Sequence, residues 1–323
     1  MIECIPIESR ERGREEWLRL RERNIGASEA GALLGVHDYL TPFELYARKS
    51  GLVTADIPDN PAMRRGRLLE PVALQMLKEE RPEWTVEPNP IPGGVYFQDT
   101  ELHLAATPDA LVVSDRGRGV AQVKSVEART FADKWQRDDE VQPPIWIAIQ
   151  VLVEAFLTGA DWACVVALVV DHGIRIEVVD VPLHAPIIAR IKAAAADFWR
   201  MVDEGREPPA DYGRDADVIE QLFAKPEEIE IDLTGDNELP EAVAEYQTLG
   251  KSLAEIGELR KARRAQILHK LGNADSALIA TGRITAKSVK RKAYAVPESS
   301  YRSIKFREQL ARFEGQPEIK GQA

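Results

Sequence analysis

The chain has 323 residues, of which 44% are hydrophobic and 29% charged. This composition is typical of a globular protein with one or two domains and argues against disorder over the whole length. Lys and Arg total 42 against 53 Asp and Glu, which gives a net charge of -11. Because such a charge repels nucleic acid and phospholipid headgroups, binding either one requires a local basic surface or a metal ion.

Two cysteines, Cys4 and Cys164, lie far apart and form no CxxC motif. This spacing argues against a disulfide framework, a structural zinc site and an iron–sulfur cluster, and an intracellular, reducing setting is expected. The N-terminal segment is acidic and lacks the apolar core of a signal peptide, so no export signal is expected.

The first 210 residues are predicted to form an α/β (α+β) domain. Apolar residues at helical spacing predict helices over 17–23, 28–34, 63–80, 145–157 and 186–203. Short apolar runs between turn residues predict strands over 85–88, 95–97, 111–113, 120–124, 163–170 and 175–181. The most apolar stretch, 145–170, is interrupted by Gln150, Glu154 and Asp161, so a buried helix and strand are expected and no membrane span.

Residues 211–323 are predicted to form a separate extension. Residues 211–239 contain ten acidic and two basic residues, which predicts a linker or an exposed edge. A helix over 240–271 carries an apolar stripe that could pack on the main domain or pair with another helix. Residues 283–307 then reach a net charge of +7 and contain Tyr294, Tyr301 and Phe306. Cations and aromatic rings suit a nucleic-acid strand, although a solvated basic tail is an equal interpretation.

One polar constellation lies in the predicted central hairpin. Asp109 begins the first strand, and Gln122 and Lys124 follow on the second. Because side chains alternate along a strand, Gln122 and Lys124 share one face while Val123 faces the opposite core. An acid, an oxygen ligand and a lysine at one strand edge suit a hard divalent ion such as Mg²⁺. Glu70 on the helix over 63–80 could supply a further carboxylate.

This order of motifs over about residues 14–205 resembles the PD-(D/E)xK nuclease superfamily, and within it the YqaJ-like viral recombinases, the lambda-type phage exonucleases. The resemblance implies a restriction-endonuclease-like core, a central mixed sheet flanked by helices. It also implies that Glu70, Asp109, Gln122 and the Val123 carbonyl bind Mg²⁺ or Mn²⁺, and that Lys124 serves the attacking water.

Further positions match the family. Gln150 matches a glutamine on the helix after the catalytic hairpin. Trp17 and Arg21 are one helical turn apart, and Ser28 stands where a helix N-cap is expected, an arrangement that binds phosphate well. The resemblance implies that Arg21 and Ser28, with Trp17 beside them, hold the terminal 5′-phosphate of DNA.

Gln122 departs from the family, which has Glu or Asp at this position. A neutral amide can bind a metal through its carbonyl oxygen, but the lost negative charge weakens binding. Glu127 is not an obvious substitute, because its odd spacing from Gln122 places it on the other strand face. The sequence leaves open a tolerated ligand, weak metal binding and an inactivating substitution.

The expected function is therefore an Mg²⁺-dependent 5′-to-3′ exonuclease that acts on double-stranded DNA ends and releases 5′-phosphates. An endonuclease of the same superfamily and a catalytically weak DNA-binding scaffold are the alternatives. The resemblance further implies a phage or prophage origin, a cytoplasmic location in a bacterial host, a single-strand annealing protein as partner and homo-oligomers, with no membrane association.

Overall fold

A computed structural model describes residues 1–8, 11–54, 60–137, 140–227, 229–290 and 304. The chain forms two compact units, Met1–Phe223 and Ala224–Ala323. The first unit includes the start of the acidic segment that the sequence assigns to the extension.

The described part of the first unit contains helices and strands in alternation. The helices are α1 (Glu11–Glu22), α2 (Ala30–Leu33), α3 (Pro42–Lys49), α4 (Pro61–Glu80), α5 (Ala128–Lys134), α6 (Ile145–Thr158), α7 (Ala185–Glu204) and α8 (Ala216–Leu222), with a 3-10 turn over Ala27–Glu29. The strands are β1 (Ile2–Pro6), β2 (Ile25–Gly26), β3 (Thr85–Pro88), β4 (Val95–Asp99), β5 (Leu104–Ala106), β6 (Ala110–Ser114), β7 (Gly117–Glu127), β8 (Gln136–Arg137), β9 (Glu140–Val141), β10 (Trp162–Val170) and β11 (Ile174–Asp180).

A five-stranded mixed sheet forms the centre of this unit, with the order β11-β10-β7-β6-β3. The pair β7 and β10 is parallel, and the other neighbours are antiparallel. A second sheet has the order β1-β4-β5-β2, and β8 pairs with β9. The predicted α/β class with a central mixed sheet flanked by helices is confirmed.

Helices cover both faces of the central sheet. Cys164, Val166 and Leu168 of β10 pack with Leu74 and Leu77 of α4 on one face. The alternate β10 residues pack with α5 and α6 on the other face. A strand buried on both faces must be apolar at every position, which explains its continuous run of apolar residues.

Helix α6 lies between two cores. Val151 and Leu152 pack on the central sheet, whereas Ile149 and Val153 pack on the side of α2, α7 and β5. A helix that is apolar on all sides is one that is buried on all sides. Gln150 and Glu154, at 4% and 1% exposure, are therefore polar groups inside the protein.

Two residues at the N-terminus of helix α4, an N-cap asparagine and a proline in the first turn, favour a helix start there. The Asn60 side chain accepts a hydrogen bond from the Met63 amide at 2.9 Å, and Pro61 occupies the first turn, where its missing N–H costs nothing. Leu77 is fully buried while Leu68 is 64% exposed, so one side of the helix anchors it to the sheet.

Residues 211–223 belong to the first unit, which corrects their assignment to a separate linker, although most of them are exposed as expected. Asp215 is completely buried and accepts hydrogen bonds from the Thr41 hydroxyl and, at 2.7 Å, from the Asp211 amide. Val218 of α8 packs against Phe43 of α3. Because Thr41 also caps α3, the acidic residue at 215 is a structural hydrogen-bond acceptor.

The second unit contains helix α9 (Leu239–Leu271) and a hairpin of β12 (Ser276–Ile279) and β13 (Gly282–Thr285). The predicted helix over 240–271 is confirmed, and none of its residues is buried. Of the basic segment 283–307, the structure describes 283–290 and 304. Its other charged and aromatic residues lie outside the described part of the chain; these are Arg291, Lys292, Tyr294, Glu298, Tyr301, Arg302, Lys305, Phe306 and Arg307. Among the helices described, none combines the length and the apolar character needed to cross a membrane.

Candidate active site

The central hairpin places Asp109 beside Gln122, as the strand pattern predicts. Ala110 of β6 pairs with Ala121 of β7, so the residue before β6 lies next to the residue after Ala121. Asp109 Oδ2 accepts hydrogen bonds from Gln122 Nε2 at 2.6 Å and from the Val123 amide at 2.7 Å. These two donors hold the carboxylate against β7, just before the start of β6.

Lys124 lies on the face of β7 that is covered by α6. Its Nζ donates a hydrogen bond to Gln150 Oε1 at 2.8 Å and lies 5.7 Å from the centre of the Trp146 ring. Val123 packs on the opposite face, in the core with α4. Gln150 Nε2 in turn donates to Glu154 Oε1 at 2.8 Å. A hydrogen-bonded chain therefore runs from the strand lysine into the buried helix.

Glu70 of α4 lies close enough to Asp109 and Lys124 for their charges to act on it. Burial, and to a lesser extent the charge of Asp109, raise the pKa of Glu70 to about 7, while Lys124 lowers it. Glu127, at the end of β7, pairs instead with Arg65 at 2.9 Å and is exposed, in agreement with its expected position on the other face.

Burial dominates the electrostatics of the group. It raises the pKa of Asp109 to about 6 against the opposing effects of Lys124 and the two hydrogen bonds. It also lowers the pKa of the Lys124 ammonium, which Asp109, Glu154 and Glu70 counteract. The pKa of Glu154 is raised to about 8 by burial and by the nearby Asp109 carboxylate. Cations placed here would relieve the cost of ionising these acids.

The oxygen atoms of this group suit a divalent metal ion. Gln122 is 6% exposed, its amide nitrogen is used by Asp109, and its Oε1 is buried without a hydrogen-bond partner. A buried unpaired carbonyl oxygen beside two carboxylates matches the ligands that Mg²⁺ prefers. Within the described residues, no group of three His, Cys, Asp or Glu side chains that could hold a metal ion is present.

A cavity of about 60 Å³ adjoins the hydrogen-bonded chain. Its lining includes Trp17, Arg21 and Ser28 together with Gln150 and Glu154. The Arg21 guanidinium lies 4.8 Å from the centre of the Trp17 ring. The structure thus brings the residues expected to hold a phosphate next to Gln150, which contacts Lys124, and to Glu154.

The expected N-cap role of Ser28 is wrong. The N-cap position belongs to Gly26, and Ser28 lies inside the 3-10 turn. The Gly26 amide donates to Glu29 at 2.8 Å, because glycine has no side chain to cap the turn and the glutamate reaches back to do so. Ser28 nevertheless lines the cavity.

A buried ion pair holds this turn beside α1. Lys49 Nζ lies 2.9 Å from Glu29 and donates to the carbonyls of Arg21 and Asn24 at 2.8 Å each. Burial opposes ionisation of Glu29, but Lys49 and Arg21 outweigh it and lower the pKa of that carboxyl. Arg21 is fixed by its position between this acid and Trp17.

The sequence did not identify Glu154, Trp146, Tyr96 or Lys49 as residues around the site. One signal was present: Gln150 and Glu154 are four residues apart in an otherwise apolar helix, so they share one face. Lys49 and Tyr96 carry no comparable signal, because their contacts join segments far apart in the chain.

Comparison with known proteins supports the family resemblance. The family model of the YqaJ-like viral recombinase domain matches residues 16–161. The uncharacterized protein YqaJ of Bacillus subtilis (strain 168) is 25% identical over 273 residues, which cover 83% of this chain and 82% of that protein.

Among solved structures, the alkaline exonuclease LHK-Exo from Laribacter hongkongensis is 20% identical and covers 64% of this chain and 99% of its own, with a TM-score of 0.48. A phage-related exonuclease from Haemophilus somnus 129PT is 13% identical and covers 56% and 94%, with a TM-score of 0.41. The segment 16–161 contains Trp17, Glu70, Asp109, Gln122 and Lys124. The resemblance to the YqaJ-like viral recombinases is thus confirmed, with the matched domain at residues 16–161.

Proposed function

We propose that this protein is a divalent-metal-dependent deoxyribonuclease of the phage-recombination type, a 5′-to-3′ exonuclease that acts on double-stranded DNA ends and releases 5′-phosphates. One observation carries the proposal. A chain of hydrogen bonds runs from Lys124, which shares a strand face with Gln122 and whose charge acts on Asp109, through Gln150 to Glu154 in the cavity that Trp17, Arg21 and Ser28 line.

Glu70, Asp109, Gln122 Oε1 and the Val123 carbonyl would hold the metal ion, Mg²⁺ or Mn²⁺. When bound, such an ion polarises a phosphate and lowers the pKa of a water molecule. The Asp109 carboxylate is held for this role by the amide of Val123 and the side chain of Gln122.

Lys124 would orient the attacking water. Its ammonium has one acceptor, Gln150 Oε1, among the contacts described, and an ammonium has three donors. Burial lowers its pKa, so proton exchange with a bound water costs less than for an exposed lysine. The side chain thus supplies both a fixed donor and a labile proton beside the carboxylates.

The cavity would hold the 5′-terminal phosphate, which favours action at ends over internal cleavage. Arg21 offers a charge-assisted hydrogen bond, and Ser28 and Trp17 offer neutral donors. The family likeness supports a phage or prophage origin, a cytoplasmic location in a bacterial host, a single-strand annealing protein as partner and homo-oligomers.

One observation favours a second function, a DNA-binding scaffold with weak catalysis. The Gln122 amide supplies no negative charge, and its nitrogen donates to Asp109, so Glu70 and Asp109 would be the charged groups that hold the ion. Each lost charge at a hard-cation site lowers affinity.

The test measures nucleotide release from linear duplex DNA, with and without a 5′-phosphate, in Mg²⁺ and in Mn²⁺. It compares the unaltered chain with Lys124→Ala and Gln122→Glu, and uses Lys134→Ala as a control because Lys134 pairs with Asp38 on the surface. The exonuclease predicts end-phosphate-dependent release that Lys124→Ala abolishes and Lys134→Ala preserves.

Other outcomes identify the alternatives. Cleavage of closed circular DNA would indicate an endonuclease. Release that appears only in Gln122→Glu would mean that the site lacks one charge, and DNA binding without release in every variant would favour the scaffold.

A further inference from the structure

Among the residues that line the cavity, Glu154 has a carboxyl group of which only one oxygen has a hydrogen-bond partner. It is 1% exposed, and its Oε1 accepts the 2.8 Å hydrogen bond from Gln150. Its Oε2 is buried and has no hydrogen-bond partner. A buried polar atom left unpaired costs stability, so its retention beside a cavity indicates a ligand that completes it.

A second atom on the same cavity is also unpaired. Trp17 Nε1 is buried without a partner, and it can act only as a donor. Arg21 and Ser28 line the cavity as well, so three of its polar residues offer donors. An acceptor-rich group such as a phosphate would satisfy all of them.

An ionised carboxylate would repel such a ligand, so the protonation of Glu154 matters. The charged and titratable groups around it are Arg21 of α1, Tyr96 of β4, Lys124 of β7 and Asp109 before β6. Burial and the Asp109 charge raise the pKa of Glu154 to about 8, against the weaker effects of Gln150 and Lys124. Burial and the Asp109 charge thus favour the protonated form of the carboxyl, in which Oε2 is a donor.

We propose that Glu154 is a specificity-determining residue of this cavity, whose neutral carboxyl donates a hydrogen bond from Oε2 to a non-bridging oxygen of a 5′-terminal phosphate. Its Oε1 meanwhile keeps Gln150 in place for Lys124. This role rests on the proposed action at DNA ends. It gives the enzyme a donor that adds no positive charge to a site already containing Arg21 and Lys124.

The experiment compares Glu154→Gln with Glu154→Leu. Glutamine keeps an acceptor for Gln150 and a donor for the phosphate, whereas leucine fills the space with neither. The control is Thr158→Val, one turn further along α6, where the hydroxyl donates to the Glu154 carbonyl at 2.8 Å and does not line the cavity. The measured quantity is the ratio of kcat/KM for 5′-phosphorylated over 5′-hydroxyl duplex ends.

We expect Glu154→Gln and Thr158→Val to keep this ratio within about 3-fold of the unaltered chain, since a donor remains in both. Loss of a hydrogen bond to a charged group predicts a fall of about 10- to 100-fold in Glu154→Leu. A purely structural role would lower the rate on both ends equally and leave the ratio unchanged. An unchanged ratio in Glu154→Leu, or an equal loss in Glu154→Gln, overturns the proposal.

A binding measurement separates this inference from the proposed function. If the unaltered chain releases no nucleotides, the nuclease proposal fails. The Kd values for the 5′-phosphorylated and the 5′-hydroxyl duplex are then measured in Ca²⁺ and compared. Preference for the phosphorylated end that is lost in Glu154→Leu alone supports the role of Glu154 without catalysis. Absence of any preference in the unaltered chain refutes it.

Discussion

Replacing Gln122 with Glu should destabilise the metal-free protein and strengthen its response to Mg²⁺. The Gln122 amide donates to Asp109 at 2.6 Å, so a carboxylate in its place would face another at hydrogen-bond distance. Two unit charges about 4 Å apart repel by about 4 kcal/mol at an effective dielectric constant near 20. One of these two carboxylates would bind a proton, which removes most of the repulsion, as in other paired carboxylates.

The cost of that proton sets the magnitude and its pH dependence. Each pH unit above the ordinary glutamate pKa of 4.5 costs about 1.4 kcal/mol, which gives about 3.5 kcal/mol at pH 7 and about 0.7 kcal/mol at pH 5. Because Asp109 itself has a pKa of about 6, part of this cost is already present in the unaltered chain. We therefore expect Gln122→Glu to lower the free energy of unfolding by about 2–4 kcal/mol at pH 7. For a domain of this size the melting temperature falls by about 5–15 °C.

The assay is thermal unfolding of Gln122→Glu at pH 5 and pH 7, with EDTA and with Mg²⁺. Bound metal stabilises by about 2.7 kcal/mol at a concentration of 100 Kd, so Mg²⁺ should raise the melting temperature more in the variant than in the unaltered chain. Gln136→Glu on the exposed strand β8 is the control and should change stability by less than about 0.5 kcal/mol. Equal melting at the two pH values, with equal shifts in Mg²⁺, would refute the metal-site geometry.

Three further predictions concern stability, measured by urea unfolding. Leu77→Ala removes a fully buried side chain of α4 and should lower the free energy of unfolding by about 2–5 kcal/mol. Leu68→Ala on the exposed side of α4 should lower it by less than about 0.5 kcal/mol. Similar losses in the two variants would show that α4 is not anchored as described. Gly119→Ala places a methyl group against an indole ring of the adjacent strand and should cost about 1–3 kcal/mol or more, whereas Gly173→Ala meets nothing within 4 Å and should be tolerated. Glu154→Gln cannot ionise, whereas ionisation of Glu154 destabilises the unaltered chain as the pH rises from the ordinary pKa of 4.5 toward 8. The free energy of unfolding of the variant relative to the unaltered chain should therefore increase over this range. A constant difference between the two proteins from pH 5 to pH 9 would contradict the buried carboxyl.

The local part of the fold was predictable because its signals are short-range. The hairpin of β6 and β7 and the helices α4, α6, α7 and α9 follow from apolar periodicity and turn residues. The second sheet was not predicted as a whole. Strand β2 has two residues and β5 has three, so neither shows a period, and both depend on pairing with distant segments.

The acidic segment after residue 210 shows how composition misleads when one residue is buried. Its charge density indicated a linker, yet Asp215 is fully buried and satisfied by Thr41 and Asp211. The local amino-acid composition does not distinguish Asp215 from the exposed acidic residues around it. The distinction depends on a contact between residues 174 positions apart in the chain.

The two halves of the candidate site were predictable to different degrees for the same reason. Asp109, Gln122 and Lys124 lie on one hairpin, where a period of two and a tight connection fix their relative positions. The cavity needed α1, the 3-10 turn and α6 to meet, and the sequence contained only the types of residue involved.

Helix α6 links these halves, since Gln150 contacts Lys124 and Glu154 lines the cavity. Two polar side chains four residues apart in a helix buried on all sides must either be satisfied by each other or serve a ligand. Here the two side chains are hydrogen-bonded to each other, Gln150 is satisfied at both ends, and Glu154 keeps one oxygen unpaired. Polar residues in a buried helix are therefore the sequence signal for this part of the candidate site, which neither charge pattern nor strand alternation indicates.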